Sequence, residues 1–159
     1  MAIRQKEPGA RSSTRSAHSV CNSKVRCEID AGGHTIITDE PVPRGGDDTG
    51  ASPLACLTAS LAACQTVQIV KVAEAMRFNH GAISIEATTT TDRTEGKKGN
   101  DKVMRFSGAS LVIDIETDEP SERVDRLASL SEDRCPVGNL FSDAGFEPSV
   151  TWNARPMKG

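Results

Sequence analysis

From Pro53 to Phe78 the chain contains no helix breaker, and this stretch constrains the fold more than any other. Ser52 supplies an N-cap oxygen, and Pro53 suits the first helical position, where a missing N–H leaves nothing unpaired. Leu54, Leu57, Leu61, Val67 and Val70 fall near helical spacing, and the alanines among them make the helix apolar on most sides. Such a helix is expected to be buried rather than laid on a surface. At about 26 residues and ~1.5 Å per residue it reaches roughly 39 Å. It is long enough to span a small domain, and His80-Gly81 is expected to end it.

The rest of the composition is thin for covering such a helix. Aromatics make up 3% of the 159 residues, with no Tyr and one Trp, so the core must come from Val, Ile, Leu and Ala. Burial against a second copy would help. A net charge of −3 gives no reason to expect a nucleic-acid or membrane partner. No apolar run is expected to approach the roughly 20 residues of a membrane span. The N-terminus carries charges without the apolar segment of a signal peptide, so a cytoplasmic location is expected.

Taken in order, residues 1 to about 15 are polar and unpatterned, and read as a flexible, locally basic arm. The remainder, 16–159, reads as one domain. From His18 to about Thr38 the pattern is that of strands: Ser19-Val20-Cys21 starts it, Val25, Cys27 and Ile29 alternate with Lys24, Arg26, Glu28 and Asp30, Ala31-Gly32-Gly33 turns, and His34–Thr38 returns, which predicts a hairpin. Asp39 to Gly50 is a loop dense in Pro, Gly and Asp that leads into the helix. Its Gly45-Gly46 lacks the spacing and the following Lys-Ser/Thr of a phosphate loop. Ala82–Arg93 and Val103–Glu116 predict a second hairpin about a charged turn over Thr94–Asp101, with Leu111, Ile113 and Ile115 on one face. Ser121 is expected to cap a helix to about Asp133 carrying Val124, Leu127 and Leu130. A short helix follows from Cys135-Pro136 to near Gly145, and Pro148–Asn153 closes as a strand. The order β-β-α-β-β-α-α-β is that of an α+β protein.

Chemistry, if present, rests on cysteine. The five cysteines are Cys21, Cys27, Cys56, Cys64 and Cys135. An odd number argues against a disulfide scaffold, and without C-x-x-C spacing, and with three scattered histidines, no metal or other cofactor is expected. Cys64 sits within the long helix, where a small hydrophobic core role competes with a chemical one. Cys56 lies on much the same face. Cys135 stands at a helix start, where unpaired N–H groups and the helix dipole favour a thiolate, and Arg134 adds positive charge. Local physics therefore makes Cys135 the more acidic of the two, against the alternative that it fills a tight turn. Cys21 and Cys27 have no activating neighbour in sequence and read as packing residues.

Several of these features together resemble the OsmC/Ohr family of osmotically inducible and organic hydroperoxide resistance proteins. They are Asp39-Glu-Pro, Gly45-Gly46-Asp, Ala51-Ser-Pro with the helix through Leu61-Ala-Ala-Cys64, and Leu130-Ser followed by Cys135-Pro-Val. The resemblance covers about residues 18 to 153. It implies an intertwined homodimer whose long central helices are buried against sheets. It further implies a thiol peroxidase in which Cys64 attacks a hydroperoxide, Cys135 resolves the sulfenic acid as a disulfide, and a dithiol reductant of lipoyl or thioredoxin type reopens it. An arginine in the N-terminal hairpin would support the thiolate: Arg26, with Arg44 as the fallback. One departure stands out. The peroxidase branches carry a Glu after the helix-start Pro, whereas Leu54 and Ala55 follow Pro53 here. That departure motivates the alternative of a redox-sensing or ligand-binding dimer with little turnover. A transferase or hydrolase built on Cys135 alone finds no His or Asp placed as its base.

Overall fold

The computed structural model of the protein describes residues 11–96 and 99–158. The expected N-terminal arm lies outside them as far as residue 10, and residues 11–15 are exposed and without regular structure. Lys97 and Lys98 of the expected charged turn also lie outside them. The chain divides into two compact units, one ending at Pro53 and the other beginning at Leu54.

The first unit is an antiparallel sheet of β1 (His18–Ser23), β2 (Arg26–Ala31) and β3 (His34–Thr38), in that order. The segment expected to be the first strand of one hairpin is thus two strands. Lys24 takes a left-handed φ of 48° and turns the chain where no glycine marks it. The turn at Gly32-Gly33 is as expected: both glycines have positive φ, 65° and 85°, the conformation a two-residue hairpin turn demands. After β3 the loop is gathered on Asp39. Its Oδ1 accepts from the Glu40 N–H at 2.8 Å. Its Oδ2 accepts from the Asp47 and Thr49 N–H groups at 3.1 Å each and from the Thr49 hydroxyl at 2.8 Å. These donors, the Thr49 N–H foremost, hold the Asp39 carboxyl down at about 2. Gly46 passes so close that a Cβ there would lie 1.7 Å from the Glu40 carbonyl oxygen.

The second unit holds the core. Helix α1 (Pro53–Met76) is followed by β4 (Ile83–Gly96), β5 (Gly99–Glu116), α2 (Ser121–Asp133), α3 (Pro136–Asp143) and β6 (Ser149–Arg155). β4 and β5 pair antiparallel, and β6 adds to β5 in parallel, with Ile113 opposite Ile85 on one side and Trp152 on the other. Leu111, Ile113 and Ile115 are buried on one face of β5, as their period of two requires. They cluster with Leu61, Ile69, Val72 and Ala73 of α1, Val124 and Leu127 of α2, and Phe141 of α3. Ser121 is the first residue of α2 rather than its cap; Pro120 holds the cap position without a side-chain hydrogen bond.

Helix α1 differs from expectation in three respects. It ends at Met76, two residues early, because Arg77 takes a left-handed φ of 50°. The Phe78 N–H then bonds the Ala73 carbonyl and the Arg77 N–H bonds the Glu74 carbonyl, a Schellman closure. The Arg123 guanidinium donates to the freed carbonyls of Met76 and Arg77 at 2.9 and 3.1 Å, placing a cation at the negative end of the helix. Within this chain α1 buries a single stripe (Leu61, Gln65, Ile69, Val72 and Ala73), while Val67 and Val70 are 47% and 43% exposed. By length and composition α1 is also apolar enough to cross a membrane, a test the sequence was not expected to meet. Its buried stripe nevertheless packs into the core cluster of the second unit.

Candidate active site

Cys64 lies on the margin of the buried stripe of α1, half-buried beside the fully buried Gln65. The Gln65 amide donates to the Ser131 hydroxyl at 3.3 Å, tying this turn of α1 to the last turn of α2. That hydroxyl donates in turn to the Ala128 carbonyl at 3.1 Å, so a buried polar pair is satisfied. Just beyond, α2 ends, and the chain enters α3 through Cys135.

Cys135 is the N-cap of α3, with extended backbone (φ −80°, ψ 102°) and Pro136 in the first turn. Its sulfur accepts from the Gly138 N–H at 3.4 Å, as a capping oxygen would. The Asn139 N–H bonds the Cys135 carbonyl at 2.9 Å, and the Asn139 amide donates to the Asp133 carbonyl at 2.9 Å, fixing the approach to the helix. Cys64 lies near enough to the Cys135 thiol to act on its ionisation. Two cysteines from α1 and α3, 71 positions apart in sequence (135 − 64), are therefore neighbours.

The environment reverses one expectation. Cys135 is 1% exposed, and burial pushes its thiol up to about 11, against an ordinary value of 9.0. The Gly138 N–H works the other way, and the neighbouring Cys64 adds to the rise. The helix-start donors are present, but desolvation outweighs them. Cys135 is thus the more protected thiol, and Cys64 the more accessible.

A cleft of about 490 Å³ is lined by residues that include Gln65, Glu132, Asp133, Gly138, Asn139 and Glu147, and neither cysteine lines it. Glu132 is held there by the Trp152 indole N–H at 2.8 Å. Gln65, Ser131 and Gly138 were not singled out from the sequence. Only Gly138 left a signal, as a small residue three positions after a helix-start cysteine.

The candidate arginines lie in the first unit. Arg26, on β2, bonds Glu28 two residues along the same face at 2.8 Å. Arg44, in the short 3-10 turn Val42–Arg44, faces Glu40 at 3.7 Å. Glu40 Oε2 is buried and, among the described residues, without a hydrogen bond, with the Arg44 guanidinium 3.7 Å away. Cys56 is half-buried on α1. Among the described residues, no group of three or more His, Cys, Asp and Glu could hold a metal ion.

Residues 45–149 match the family model described as OsmC-like protein. No curated protein matches the chain. Solved structures share its fold. An OsmC-like protein from Mycoplasma pneumoniae superposes with a TM-score of 0.74 at 17% identity, over 91% of this chain and 99% of that one. An organic hydroperoxide resistance protein OsmC from Legionella pneumophila gives 0.69 at 17% identity, over 91% and 99%. The organic hydroperoxide resistance protein OhrB of Bacillus subtilis gives 0.64 at 18% identity, over 89% and 98%.

Proposed function

The chain belongs to the OsmC-like protein family, and from that premise we propose that it is a thiol-dependent organic hydroperoxide reductase serving oxidative-stress defence. The observation that carries the reading is the pairing of a half-buried Cys64 with a buried Cys135. That two fold relatives are named for organic hydroperoxide resistance supports the substrate class.

In this cycle the Cys64 thiolate attacks the distal oxygen of the hydroperoxide. The O–O bond breaks, the alkoxide leaves and takes a proton as the alcohol, and Cys64 becomes a sulfenic acid. The Cys135 thiolate then attacks the Cys64 sulfur. The S–O bond breaks, hydroxide leaves as water, and a disulfide closes. A dithiol of lipoyl or thioredoxin type reopens it by exchange. Arg26, or failing it Arg44, is the cation proposed to support the Cys64 thiolate. Residues 16–159 act as one cytoplasmic domain, and a second copy covers the bare Val67 and Val70 face of α1 in a homodimer.

The test is intact-mass analysis after one equivalent of an organic hydroperoxide, followed by peptide mapping. Loss of two hydrogens mapped to Cys64–Cys135 is expected, and Cys64→Ser should abolish turnover. Peroxidase activity surviving in Cys64→Ser refutes the reading. A second reading, a redox-sensing or ligand-binding dimer with little turnover, is favoured by Leu54-Ala55 standing where the peroxidase branches carry an acid. It is selected if the disulfide forms but the rate with several hydroperoxides does not exceed that of free thiol.

A further inference from the structure

Of Cys21 and Cys27, both expected to be packing residues, Cys27 is half-buried but Cys21 is exposed. Every residue of β1 is exposed, so Cys21 packs into no core. Cys21 and Cys27 are instead direct partners in the antiparallel pairing of β1 with β2. Residues opposed in this way have Cα atoms about 4.5 or 5.5 Å apart and side chains on the same face. Both separations fall within the ~4.4–6.8 Å that a disulfide spans. The thiols also converge on one turn. The Cys21 thiol donates to the Lys24 carbonyl at 3.2 Å, and the Cys27 thiol to the Val25 carbonyl at 3.7 Å. Both are free thiols, one exposed and one half-buried.

We propose that Cys21 and Cys27 are a second redox couple, which closes a cross-strand disulfide by exchange with a low-molecular-weight disulfide. The exposed Cys21 thiolate attacks one sulfur of the small disulfide. That S–S bond breaks, one small thiolate leaves and takes a proton, and a mixed disulfide forms on Cys21. The Cys27 thiolate then attacks the Cys21 sulfur, the mixed S–S bond breaks, and the second small thiolate leaves. The protein dithiol is oxidised by two electrons, and one small disulfide is reduced to two thiols. The sheet already holds the partners opposed, so the second attack is intramolecular and outruns accumulation of the mixed form. The product staples β1 to β2 across the Lys24 turn, beside Arg26. None of this depends on peroxidase activity at Cys64.

The experiment equilibrates the reduced full-length protein with glutathione buffers of rising oxidised fraction, followed by acid quench, alkylation and tryptic mapping. Cleavage after Lys24 and Arg26 separates the two cysteines, so the disulfide appears as two linked peptides. Linked peptides should exceed glutathione-bound Cys21 by at least about tenfold. In Cys27→Ser, Cys21 should instead carry glutathione. If wild-type Cys21 carries glutathione as the variant does, or stays free while the buffer becomes oxidising, the proposal is wrong.

Discussion

Closure of the Cys64–Cys135 disulfide should be slow at neutral pH and should speed up about tenfold per pH unit from 7 towards 10. The thiol of Cys135 ionises at about 11 rather than 9.0, chiefly because it is buried. At pH 7 its thiolate fraction is then about one in ten thousand, against about one in a hundred for an unshifted thiol. A more basic thiolate is a better nucleophile; with a Brønsted slope of ~0.4–0.5, two units return close to tenfold. The net expectation is closure about tenfold slower than an unshifted thiol would give at pH 7. Oxidation of Cys64 removes its own contribution to the shift, but the larger cause, desolvation, remains. The assay mixes reduced protein with one equivalent of an organic hydroperoxide at fixed pH values between 7 and 9.5. Samples are quenched with a sulfenic-acid trap, and trapped Cys64 is counted against disulfide by mass. Cys135→Ser sets the limit of no closure, with trapped Cys64 persisting at every pH. A closure rate that is flat from pH 7 to 9 would refute the inference from burial to reactivity.

Three further outcomes follow from the fold. Gly46→Ala places a Cβ 1.7 Å from the Glu40 carbonyl oxygen, so the loop must rebuild; hydrogen-exchange protection of the Asp47 and Thr49 amides should fall by at least about tenfold, and unchanged protection would contradict the packing. Ile113 is fully buried at the centre of its sheet, and Ile113→Ala should cost about 2–5 kcal/mol in urea denaturation; a loss below about 1 kcal/mol would place the core elsewhere. Asp39, held down at about 2 from 3.8, favours the folded loop in its ionised form. That stabilisation is fully present above about pH 4 and is lost as pH falls towards 2. Asp39→Asn should flatten the acid limb of a stability profile over that window, and an unaltered limb would exclude Asp39 as its source.

The periods that bury one face were legible in the sequence. Leu111, Ile113 and Ile115 alternate with polar neighbours and face the core; the Pro-start helix and the Cys-Pro helix begin where their prolines allow. Two of the misses were at turns made without glycine. Lys24 and Arg77 take left-handed backbone that their side chains disfavour, and nothing local announces either. Each is held by partners elsewhere: Ser23 opposite Arg26 closes the first turn, and the Arg123 guanidinium satisfies the carbonyls of the second. The convergence of Cys64 with Cys135 was reachable only through resemblance, because no periodicity relates residues on separate helices. The pairing of Cys21 with Cys27 was hidden for a simpler reason. It requires a turn between them, and the unbroken alternation argued for one continuous strand.

Burial also explains why the two cysteines of the candidate site are not interchangeable, although helix-start chemistry pointed the other way. A donor such as the Gly138 N–H lowers the energy of a thiolate by one hydrogen bond, whereas loss of solvent removes several at once. At 1% exposure Cys135 meets the second condition in full. A thiol kept protonated and covered is a poor first target for a hydroperoxide, and so is spared over-oxidation. It still competes for a sulfenic acid at Cys64, because that electrophile forms beside it. Proximity can thus substitute for acidity in the second step but not in the first, where the hydroperoxide must arrive from solvent. On this ground the proposed cycle gives the half-buried Cys64 the attacking role and the buried Cys135 the resolving one. An exchange of roles, with hydroperoxide oxidising Cys135 in a Cys64→Ser variant as fast as it oxidises Cys64 in Cys135→Ser, would show that accessibility is not what divides them.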